Sequence, residues 1–168
     1  ATFPYPRYKK LIQEYNAAHK DLEITYAPVG SGEGVKRFVK QVVDFGASDA
    51  AMSDEDMARV ERQVKLIPAT AGIVVLAYNL KGLNGPLKLP REVYVGIFAG
   101  DIHKWDDPRI KQANPGLNLP SLDIILVGRA EGSGTTFAFT NHLSAVSRMW
   151  RDRGPGVGKV VGWPTRAM

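Results

Sequence analysis

Ile124-Ile125-Leu126-Val127-Gly128-Arg129-Ala130-Glu131-Gly132-Ser133-Gly134-Thr135-Thr136 is the stretch on which the fold turns. An apolar, β-branched run gives way to small residues, and a helix-like segment follows from Phe137 to about Met149. The order reads as strand, turn, helix. A helix entrance leaves N–H donors without intrahelical partners, and its end of the helix dipole is positive. With Arg129 alongside, amides, hydroxyls and a planar guanidinium converge on one point, a place for an oxyanion, phosphate foremost. The plainer reading is a glycine-rich strand-to-helix turn capped by Ser or Thr. Taken alone, the stretch supports both.

Outward from it, strands and helices alternate. Tyr8, Leu11, Ile12 and Tyr15 predict a helix from Tyr5 to about His19, with Pro4 and Pro6 at its entrance. Asp21 to Ala27 reads as a strand, and Gly30-Ser31-Gly32 as the turn into a helix whose Val35, Phe38, Val39 and Val42 face a core. Phe45-Gly46-Ala47 is a short strand before the turn Ser48-Asp49, and Ser53 caps a helix opening with Asp54, Glu55 and Asp56. Lys65 to Asn79, dense in Val, Ile, Leu and Ala, predicts a long buried strand or strand pair. The Gly-, Asn- and Pro-rich loop 81–88 marks a lobe boundary, which divides the chain into partial lobes at 1–80 and 81–168. Helices are predicted for 92–98 and 109–114, and a strand for 123–127. The tail from Gly154 to Trp163, with four glycines, offers no partner element. This alternation argues an α/β fold with largely parallel pairing.

Composition narrows the classes. A chain of 168 residues holds one full domain or two small lobes. With 44% apolar and 23% charged residues it has ordinary globular composition, and no run approaches the length of a membrane helix. The net charge of +5 raises the question of nucleic acid, but the basic residues are scattered among acids, without a basic tract or aromatic ladder. No nucleic-acid partner is therefore expected. The absence of cysteine excludes disulfides, thiolate chemistry and Cys-based metal sites. Beginning at Ala1 without Met or an apolar leader, the sequence is expected to be a processed form, an excised piece or a fragment.

Three helix entrances repeat one theme: Thr2-Phe3, Gly30-Ser31-Gly32 and Ser133-Gly134-Thr135 each place amides, two of them beside a hydroxyl-bearing serine and the first beside Thr2, at a helix start. Three such entrances beside Arg129 favour convergent anion binding over three unrelated caps. Asp49 stands apart, because a carboxylate repels an anion unless the ligand carries a proton. An ionised carboxylate only accepts hydrogen bonds, so it would suit a protonated phosphate and not sulfate. From pattern alone, a local Asx-turn is the favoured reading of Asp49.

Other chemistries fit poorly. No lysine follows Gly134, so the Gly-Lys-Ser/Thr ending of a nucleotide-binding P-loop is missing. Neither Ser31 nor Ser133 is flanked by glycines two residues away on both sides, as a nucleophile elbow requires. His19, His103 and His142 lack metal-ligand spacing, and Trp105, Trp150 and Trp163 read as packing groups. No catalytic residue, metal or cofactor is assigned.

Ala1-Thr2-Phe3-Pro4, Gly30-Ser31-Gly32, Asp44 through Ala50, Lys104-Trp105-Asp106-Asp107, Asn114-Pro115-Gly116, Arg129 through Phe139 and Gly162-Trp163-Pro164 together resemble the periplasmic phosphate-binding proteins of bacterial high-affinity phosphate uptake. The match runs in order along almost the whole chain. The resemblance implies a type II periplasmic-binding-protein fold of two α/β lobes, here incomplete, holding phosphate in the cleft. It implies periplasmic or cell-surface location and delivery to the permease of an ABC transporter. It implies ligand contacts from Thr2, Phe3, Ser31 and Asp49 of one lobe and Arg129, Ser133, Gly134 and Thr135 of the other, with Asp49 accepting the phosphate proton. Two departures stand out: Glu131 where the family usually has an Asp that orients the arginine, and Glu33 where a glycine is common. Family members are also roughly twice as long, the size of two full lobes. A second chain or fragment completing the fold is therefore an expected partner. Two other functions stay open: a phosphate-ester-processing enzyme using the same cradle, and a structural or sensory module that binds nothing.

Overall fold

The computed structural model describes residues 1–164, so the last four residues of the expected second lobe lie outside it. Among the described residues there are seven helices: α1 Tyr5–Ala18, α2 Ser31–Val39, α3 Asp54–Ala58, α4 Arg91–Ala99, α5 Pro108–Ala113, α6 Gly134–Val146 and α7 Arg148–Arg153. None is long and apolar enough to cross a membrane.

The helices begin and end where local chemistry demands. Ser53, Asp107, Ser133 and Ser147 each accept a hydrogen bond from a first-turn N–H of α3, α5, α6 and α7 respectively. α2 stops because Gln41 turns left-handed at φ 57°, which leaves Val42 outside the helix and exposed. α4 stops at Gly100, φ 83°. The single helix expected to reach Met149 is two. Ser147 leaves helical geometry, its N–H closing α6 on Leu143 and its hydroxyl opening α7.

The core lies in the second half of the chain. Val93 and Ile97 of α4 and Ile110 of α5 pack with Ile102, Leu119, Ile124 and Leu126. A neighbouring cluster joins Val95 of α4 to Leu143 of α6 and Trp150 of α7, the latter two with no exposed surface. Asn114 is buried beside them, donating to the Lys88 and Ile110 carbonyls and accepting from the Lys88 N–H.

The expected strands differ from the expectation. Residues 21–27, 45–47 and 65–79 run without regular secondary structure, and among the described residues 65–79 make no backbone-to-backbone hydrogen bond. Around the fourth strand, Ile124 donates to His103 and Trp105 donates to Leu122, giving an antiparallel bridge between Lys104 and Asp123. The reason is physical: an apolar run signals a demand for burial, but a strand forms only against a ladder partner. Ile67, Ile73 and Val127 are 81%, 90% and 80% exposed, so that demand is unmet within these residues. Segment 21–27 is instead tied to α1 by side chains. Asn16 exchanges two hydrogen bonds with the Ile24 backbone, while Tyr26 packs its ring on Tyr8 and donates its hydroxyl to the Ala1 carbonyl.

The tail also departs from expectation, because it has partners. Its Gly156 carbonyl accepts from the Trp150 indole, its Gly158 N–H meets Thr140 Oγ1, and its Lys159 carbonyl accepts from the Ser133 N–H at 2.9 Å.

Candidate functional site

The entrances of α2 and α6 meet backbone to backbone. Gly32 N–H donates to the Gly132 carbonyl at 2.8 Å, and the two α-carbons are so close that a Cβ on Gly32 would stand 3.0 Å from that of Gly132. Beside this contact Ser31 is buried at the first position of α2, and its hydroxyl accepts from the Asp49 N–H at 3.1 Å. Gly134 opens α6 against the same pair: a Cβ there would lie 2.6 Å from the Asp49 Cβ and 2.6 Å from Ser31 Oγ. Only glycine permits that approach. Ser31, Asp49 and Gly134, far apart in sequence, form one contact group.

Ser133 is buried behind Gly134, where its Oγ accepts from Thr136 N–H at 3.2 Å. Each serine oxygen thus receives a backbone N–H, which leaves its own proton to donate outward. The Ser133 and Gly32 amides are consumed within the fold, whereas the Gly134 and Thr135 amides open α6 without a partner among the described residues. Thr135, Asp49 and Phe3 line one cavity of about 870 Å³, along with Phe38, Met52 and Leu66. The N-terminal residues reach it because the Ala1 nitrogen donates to the Ala47 carbonyl at 2.7 Å, and the Phe3 ring lies over Gly72. Thr2 sits in the adjoining turn, its carbonyl accepting from Tyr5 N–H.

Of the eight expected ligand contacts, only Phe3, Asp49 and Thr135 line this cavity; Thr2, Ser31, Arg129, Ser133 and Gly134 are not part of its wall. Arg129 Nε donates to Glu131 Oε1 at 2.8 Å, and a second guanidinium nitrogen meets the same oxygen. This pairing, more than the field of Asp49, raises the Arg129 pKa. The same hydrogen bond holds the Glu131 carboxyl below its ordinary value. Glu131 thus reaches the arginine and fixes its orientation. Glu33, the other departure, bonds Arg37 one turn further along α2 at 2.8 Å, and that hydrogen bond lowers its pKa. Its charge is matched locally. Among the described residues no group of three His, Asp or Glu could hold a metal ion.

Sequence reasoning missed the tail's attachment to Ser133 and the glycine contact between α2 and α6. The spacing Gly154, Gly156, Gly158 was the available signal for a segment lying close to other backbone.

Together the two helix entrances offer hydroxyls and two unspent amides, with the Arg129–Glu131 pair and the Asp49 carboxylate nearby. The chain belongs to the PBP superfamily, whose domain it matches over residues 1–166, and so has a periplasmic-binding-protein-like fold. More particularly, it is 44% identical over 166 residues to the phosphate-binding protein PstS of Pasteurella multocida, covering 98% of this chain and 47% of that protein. The phosphate-binding protein PstS of Haemophilus influenzae is 41% identical, with 98% and 48% covered. That of Methanocaldococcus jannaschii is 39% identical over 171 residues, with 98% and 44% covered. The chain spans about half the length of the curated relatives it matches.

Proposed function

We propose that these residues form part of a non-enzymatic phosphate-binding protein that delivers inorganic phosphate to an ABC transporter permease. The observation that carries the reading is the contact of Ser31, Asp49 and Gly134 at two helix entrances, with the Arg129–Glu131 pair beside them. Binding rests on charge-assisted and amide hydrogen bonds. Ser31, Ser133, Thr135 and Thr2 donate hydroxyl protons, Phe3, Gly134 and Thr135 donate amides, Arg129 pairs with the anion, and Asp49 accepts the phosphate proton. The names of the relatives, all phosphate-binding proteins, support the same ligand.

The finer architecture belongs to this proposal: a two-lobe, type II α/β fold, with residues 1–80 in one lobe and 81–168 in the other, closing over the ligand. Exposed Ile67, Ile73 and Val75 then face the remainder of the protein or a completing chain, which supplies the strand partners. The location is the periplasm or cell surface.

Calorimetry with inorganic phosphate on the full-length protein and its Arg129→Ala variant tests the reading. Tight binding by the wild type, weakened at least about tenfold in the variant, is expected, since a charge-assisted pair with the anion is lost. Equal affinity removes the site assignment.

A further inference from the structure

Resting on the phosphate-binding reading, we infer that Thr140 is a positioning residue, which sets the entrance of α6 by fastening the glycine-rich tail across it. Thr140 lies in the second turn of α6 and is fully buried. It does not line the cavity that Asp49 and Thr135 share. Its hydroxyl donates to the Thr136 carbonyl at 2.8 Å, the ordinary back-bond of a helical threonine. The oxygen's remaining capacity accepts the Gly158 N–H at 3.2 Å.

One residue further on, the Lys159 carbonyl takes the Ser133 N–H at 2.9 Å. Ser133 is the cap of α6 and the neighbour of Gly134, whose α-carbon is pressed against Asp49 and Ser31. A path of hydrogen bonds therefore runs from the helix interior through the tail to the residue that aims the Gly134 and Thr135 amides. The indole of Trp150, with no exposed surface, holds the tail at a third point through the Gly156 carbonyl. Gly156 adopts φ 82°, so the chain bends where it leaves that anchor. The Ser133 amide is thereby withheld from the ligand and spent on orientation. Supporting groups of this kind hold site residues within the narrow geometry that binding requires.

The test uses the full-length protein and two readouts. Amide hydrogen exchange follows Ser133 and Gly158, and calorimetry follows inorganic phosphate. In Thr140→Val, nearly the same shape without the hydroxyl, Ser133 exchange should quicken and the phosphate Kd rise by about tenfold, as for loss of an outer-shell partner. Thr140→Ser, which keeps the oxygen, should restore both. Unchanged exchange or unchanged Kd in Thr140→Val overturns the inference, as does a Thr140→Ser variant equally impaired. Should Thr140→Val not fold, the wild type decides: Ser133 and Gly158 must open with the same protection, and independent exchange overturns the coupling. Absence of phosphate binding by the wild type would count against the function proposed above, and the exchange experiment still judges the fastening.

Discussion

Gly134 and Asp49 touch without any intervening side chain: a methyl at Gly134 would fall 2.6 Å from the Asp49 Cβ and 3.1 Å from its Cα. Neither atom is the free end of a flexible group, so the added carbon must push the α6 entrance from the Asp49 loop. Gly134→Ala is expected to cost about 1–3 kcal/mol of stability through overpacking. Phosphate affinity should fall more than tenfold. Chemical denaturation and calorimetry on the same preparation check both, and an alanine variant with wild-type affinity contradicts the geometry.

Asp49 governs selectivity if it accepts the ligand's proton. Asp49→Asn keeps the size but adds a donor, so sulfate, which has no proton to give, gains a partner. Sulfate should compete with phosphate at least about tenfold better in the variant than in the wild type, as expected when an unmatched acceptor is removed. Competition calorimetry measures the ratio, and an unchanged ratio denies Asp49 this role.

Glu131 gives the Arg129 pair an acid limit. Its carboxyl is held below the ordinary glutamate value by the Arg129 hydrogen bond, as Asp107 is by Arg109 and Glu33 by Arg37. An acid with a lowered folded pKa contributes stability that is whole above its unfolded pKa and is lost as pH falls through the folded one. The pair therefore holds at neutral pH and opens on acidification below the glutamate range. Glu131→Gln should erase that part of the pH dependence with only a small change in stability at pH 7, because the pair is solvent-exposed. Stability profiles of the two proteins should converge in acid. Parallel profiles would show that the pair contributes nothing.

Asn114 provides a contrast, since it is buried, lines no part of the cavity and joins Lys88 to Ile110. Asn114→Ala leaves buried backbone groups without partners, at about 1–3 kcal/mol. Denaturation should register the loss while phosphate affinity stays at the wild-type value.

How much of this was legible in the sequence depended on distance along the chain. Ser53 and Ser133 announce their helices because a cap is completed within four residues. Ser147 conceals a helix break, since the same residue type sits tolerably inside a helix. Ile73 and Val127 declare an apolar environment but not its source, which lies at the other side of a ladder. The meeting of Ser31 with Asp49 joins residues 18 apart, and local pattern assigned Asp49 to a turn. Family resemblance, not spacing, singled it out. Nothing local could reveal Lys159 as the partner of Ser133.

The Gly32–Gly132 contact sets two helix entrances face to face, each carrying about half a positive charge. Like poles held together repel, and Arg129 stands next to them. An oxyanion seated beside them, as the phosphate-binding reading has it, would relieve a repulsion that the fold itself holds in place. That relief would register as a rise in melting temperature on adding phosphate, steepest in dilute buffer and flattened by salt.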